Sequence, residues 1–157
     1  MRTLLKRLVI IAVVAVVIGV VAYQLLPPSE AGRTAVVHLA KANKFSFGGG
    51  GIAGSIQESE NWFFAILSSR HSARLFHDLF KQSTTAEARL YALAGLHLTD
   101  KDNFRVCAAR FVKESSRVQT LGGCIAHDCT PAEAIASIER GDVERYLKLR
   151  KEYVRAR

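Results

Sequence analysis

The sequence is short of most residue types that announce a chemistry. Among 157 residues there are three cysteines, three prolines, one tryptophan and one methionine. Three cysteines exclude a disulfide-dense scaffold, since they permit one bridge with one thiol left over. No serine stands in a Gly-x-Ser-x-Gly turn, which removes the nucleophile elbow of the α/β-hydrolases. The acidic residues are scattered singly, so a paired-carboxylate hydrolase has no foothold. His71 and His77 are six residues apart and do not share a helix face as metal-binding pairs at i,i+3 or i,i+4 would. His97 closes an apolar segment, where it could bond the last carbonyls of a helix.

Long apolar runs are equally scarce, with one exception. Arg2, Lys6 and Arg7 precede an unbroken apolar stretch from Leu8 to Ala22, and Pro27 and Pro28 follow. Counted from Leu8 to Leu26, the span is about 19 residues, roughly 28 Å as a helix, enough to cross a hydrocarbon core. Tyr23 suits the interface, and the prolines stop the helix. Basic residues before the run and none just after it place the N-terminus in the cytoplasm. The alternative is a cleaved signal peptide, with Val20, Val21 and Ala22 offering small residues for cleavage near Ala22. Either way the remainder is expected to be exported.

The formal charge of +8 is unevenly spread. Residues 8–139 hold twelve Lys/Arg against eleven Asp/Glu, whereas residues 140–157 hold seven against three. A basic anchor and a basic last helix do not amount to a uniformly basic surface, which makes nucleic acid an unlikely partner. The exposed positions of that last helix, Arg145, Lys148, Arg150, Lys151 and Arg155, fit either a solvated outer face or contact with an anionic lipid or cell-wall polymer.

The chain divides into an anchor or signal segment over 1–28, a linker and short helix over 29–44, and an exported helical domain over 45–157. Within the last, the periodicity predicts helices over 56–68 and 72–81. Thr84, Thr85, Ala86 and Glu87 read as a capping box opening a third helix to about Leu98. Thr99 or Asp100 caps a fourth bearing Phe104, Cys107, Ala108 and Phe111. Thr130, Pro131 and Glu133 start a fifth, ending at Gly141, and Asp142 caps a sixth. The third helix is apolar nearly all round, with Ala88, Ala92 and Gly95 as a small-residue stripe, and so belongs at the centre. The fold expected is all-α: an N-terminal transmembrane or signal helix, then a compact bundle of about five or six short helices.

Two resemblances add to this. The run from Glu87 to Asp100, alanines and leucines ending near an aspartate, resembles the second helix of a HEAT-type repeat and implies HEAT-like packing. Phe47 to Gly54, Arg89 to Leu96, and Leu121 to Ile125 together resemble an uncharacterised family of small bacterial envelope proteins. That resemblance implies a bacterial inner-membrane protein with its domain in the periplasm, and implies no catalytic residue.

Three spots carry chemical potential. Gly49 to Gly54 spells G-x-G-x-x-G, but no strand–helix–strand pattern follows, and Glu58 and Glu60 stand where a phosphate would need positive potential. A loop requiring positive φ or close backbone approach is the simpler reading. Cys124 and Cys129 enclose His127 in a presumed loop, so Cys124–Cys129 is the expected disulfide if one forms. Cys124, His127 and Cys129 are also the only compact metal-ligand types, short of the four ligands a structural zinc wants. No cofactor is expected. The leading expectation is a membrane-anchored binding or scaffolding module with a protein partner in the envelope. The rival is a hydrolase-like envelope enzyme with a cleft between the Gly48–Gly54 and Cys124–Cys129 loops.

Overall fold

A computed structural model describes residues 27–48, 56–113, 117–122 and 125–155, the last five as backbone. The Leu8–Leu26 segment lies outside them, and no helix among the described residues is long and apolar enough to cross a membrane. The described chain is mostly helical, with seven helices and a small sheet. In order these are α1 (Glu30–Leu39), β1 (Phe45–Ser46), α2 (Glu58–Leu67), α3 (Ser72–Gln82), α4 (Ala86–Thr99) and α5 (Lys101–Phe111), then β2 (Val118–Gly122), β3 (Ile125–Cys129), α6 (Pro131–Glu139) and α7 (Asp142–Arg155).

Local chemistry sets most of the boundaries. Ser29 Oγ accepts from the Gly32 amide, so α1 begins inside the stretch expected to be a linker. Thr130 and Glu133 cap α6 reciprocally, with Pro131 at the first helical position, as the sequence indicates. Asp100 accepts from the Asn103 amide and opens α5. The expected box at Thr84–Glu87 is different. Thr85 is the cap of α4, and Glu87 reaches away from the helix to accept the Gln119 amide of β2 at 2.9 Å. Gly141 takes φ 78° between α6 and α7, a left-handed turn that glycine adopts without a Cβ clash.

The α4 helix is central, as its composition implies. Every residue from Leu90 to Leu96 is buried, and α2, α3, α5 and α6 surround it. A Cβ at Gly95 would stand 2.3 Å from the Phe76 ring, so this glycine sets how closely α3 and α4 approach. Phe63 and Ile66 of α2, Leu75, Phe76, Leu79 and Phe80 of α3, and Phe104 and Phe111 of α5 complete the core.

The expected helical bundle is present, and a small sheet is added to it, with strand order β1-β2-β3. β1 pairs parallel with β2, Phe45 opposite Thr120 and Ser46 opposite Leu121. β2 and β3 are antiparallel with unbroken register from Val118–Cys129 to Gly122–Ile125. The segment before the glycine run is therefore a short strand, and the presumed loop before Thr130 is an exposed edge strand. Tyr91 of α4 holds β1 in place. Its hydroxyl accepts the Ser46 amide at 3.0 Å, donates to the Ser46 carbonyl at 2.9 Å and meets Ser59 Oγ at 3.0 Å.

Candidate functional site

The sheet, α6 and α7 enclose a cleft of about 340 Å³. One wall is the sheet, with Phe45 and Phe47 at one side and His127 and Cys129 at the other. Residues opposite one another in register share a face, so Phe45, Thr120 and His127 form a row across all three strands. α6 contributes Glu133, Ala134 and Ser137, and α7 contributes Asp142, Val143 and Tyr146. The lining is chiefly apolar with a few polar groups at the rim, the usual constitution of a small-ligand pocket.

The α7 wall is fastened by a buried carboxylate. Glu60 on α2 is fully buried, and Arg150 Nη1 lies 2.9 Å from its Oε1. The Tyr146 hydroxyl donates to the same oxygen, and the Gly48 amide approaches Oε2 at 3.4 Å. The Arg150 guanidinium also lies 3.8 Å from the Phe64 ring centroid, a cation–π contact. Lower on α7, Glu144 Oε1 lies 2.7 Å from His97 Nδ1. His97 thus sits against the last helix. Burial, then the bond to Glu60 and its charge, push the Tyr146 hydroxyl up to about 12, against the lowering effect of Arg150.

The residues expected to carry chemistry are distributed as follows. His127 and Cys129 lie two apart on one strand and both line the cleft. Cys124 lies outside the described residues, and with it the Cys124–Cys129 pairing. Burial pushes the Cys129 thiol up; a bond from Thr120 opposes this, and Glu133, Asp128 and Glu87 add to it. A thiol held protonated is a poor nucleophile and a poor metal ligand. Cys107 is a buried free thiol, also pushed up by burial. Among the described residues no group of three or more His, Cys, Asp or Glu could hold a metal ion. Of the glycine run, Gly48 is described, with φ 102° beside the Tyr146 ring; Gly49–Gly54 lie outside.

Of the five basic residues expected to face an anionic surface, Arg150 turns inward to Glu60. Arg145 pairs with Asp142 at 3.3 Å, and Lys148 is exposed. The side chains of Lys151 and Arg155 lie outside the described set. Sequence reasoning missed two further groupings. His71 and His77 share a pocket with Arg74, Asp100 and Asn103. His38 stacks on Trp62 with ring centroids 4.5 Å apart.

The Tyr146 geometry has a pH signature. A tyrosine whose folded pKa is raised contributes stability that is complete below its unfolded value of 10 and is lost as pH rises towards about 12. The stability difference between wild type and Tyr146→Phe should therefore shrink across that window in urea unfolding series. A difference that stays constant there would place the hydroxyl away from the Glu60 carboxylate. Compared with protein-family models, with curated proteins and with solved structures, the chain matches none.

Proposed function

We propose that this protein is a membrane-anchored binding module of the bacterial envelope, receiving an apolar group of its partner in the cleft between the sheet, α6 and α7. The observation that carries the reading is the cleft itself: aromatic and aliphatic walls from three elements, with Thr120, His127, Glu133 and Ser137 as polar groups in its lining. Such a surface rewards apolar burial at about 25 cal/mol per Å² while its few polar groups orient the occupant.

The rival enzymatic reading gains one support. Phe47, next to Gly48, and Cys129 line the same cleft. The raised thiol of Cys129 weighs against nucleophilic chemistry there, and binding is the function we assign.

Cleft binding can be tested with indole, a water-soluble apolar probe, on the full chain in lipid nanodiscs. Saturable amide shifts confined to Thr120, His127 and Val143 are expected. Thr120→Trp fills the cleft with a side chain suited to a strand and should weaken binding at least tenfold, about 1.4 kcal/mol. Shifts spread evenly over the surface, or unchanged by Thr120→Trp, would refute the assignment.

The anchor assignment rests on the Leu8–Leu26 run and its basic flank. In spheroplasts, externally added protease should degrade residues 27–157 while the chain remains in the membrane fraction. Protection from the protease would reverse the orientation, and release into the medium would make the segment a cleaved signal.

A further inference from the structure

The outer edge of β3 is an open sheet edge among the described residues. Sheet edges are ordinarily protected by proline, lysine, a bulge or a covering element, because unpaired amides and carbonyls invite another strand. Ile125–Cys129 has none of the first three: its five residues contain no proline or lysine, and its register with β2 is unbroken. No further strand pairs with it among the described residues. Ile125 through Asp128 are exposed, Ile125 by 61%.

This edge borders the cleft. In the row Phe45–Thr120–His127, a residue on a fourth strand opposite His127 would extend the row on the cleft's face. Alternate side chains of an added strand would then point toward the rim lined by His127, Cys129 and Glu133. The surroundings also have a sign. Glu87, Asp128 and Glu133 all act on Cys129 at the end of β3, and each is an acid.

We infer that the outer edge of β3 accepts an extended peptide segment of the partner as a fourth strand, its apolar side chains directed to the cleft and lysine or arginine alternating with them. Backbone pairing supplies affinity, the cleft selects the apolar side chains and Asp128, on the opposite face of β3, selects the basic ones, the division of labour common in β-strand addition. The inference rests on the cleft-binding reading and deepens it by naming the occupant's chemistry.

The test uses the full chain in nanodiscs and a blocked heptapeptide alternating lysine with leucine. Two controls replace lysine by glutamate or N-methylate every central amide. The basic peptide should bind with slowed hydrogen exchange at Ile125–Cys129, and both controls should bind at least tenfold more weakly. Asp128→Lys should weaken the basic peptide and improve the acidic one. Equal binding of the N-methylated peptide, exchange protection elsewhere, or no binding at all would overturn the inference. If indole still saturates the cleft in that case, cleft binding stands without the added strand; if indole also fails, the cleft reading falls with it.

Discussion

A carboxylate shut away from water costs several kcal/mol unless a cation and hydrogen-bond donors meet it. Glu60 is fully buried, and what meets it comes from distant parts of the chain: Arg150 and Tyr146 from the last helix and the Gly48 amide from the end of β1. Removing one partner of such a pair typically costs about 3–5 kcal/mol, because the other charge is left stranded. This one group therefore couples α2, the entry to the glycine run and α7. The helix needs that tie. Among its described side chains Val143 is the buried apolar one and Leu147 is only partly covered, while Leu149 is 59% exposed. The polar latch and the His97–Glu144 contact hold α7 where hydrophobic packing by its described side chains is thin.

The cleft follows from the same arrangement. Tyr91 fixes both backbone groups of Ser46, which sets β1 beside β2 and turns Phe45 and Phe47 into a wall. Phe47 sits between Phe63 and Tyr146, at 4.9 and 5.9 Å between ring centroids, so the aromatic layer runs from the core into the cleft. With α7 latched at Glu60, Tyr146 and Val143 close the opposite side. The site is thus a by-product of three long-range ties rather than of any local motif.

That origin explains what could be read in advance. Helix starts at Thr130 and Asp100 were legible because a cap is chemistry within three or four residues. The centrality of α4 was legible because alanine and leucine occupy every face. The sheet was not: β1 is two residues long and finds its partner far along the chain, so no periodicity announces it. Glu60 reads as an acid that opposes a phosphate beside the glycine run, and Arg150 as one charge of a basic face. Their pairing spans ninety residues and is visible only once the chain is folded. His127 and Cys129 were noticed for their chemistry, but in an assumed loop; as alternate residues of a strand they face one cleft together.

The dependence of the structure on Glu60 can be measured by a double-mutant cycle of Glu60→Gln and Arg150→Met in urea unfolding. A coupling of more than about 1 kcal/mol is expected, with the double variant recovering part of the stability lost in either single one. Additivity within about 0.5 kcal/mol would show the two side chains acting independently, and the account of α7 as a latched wall would be wrong.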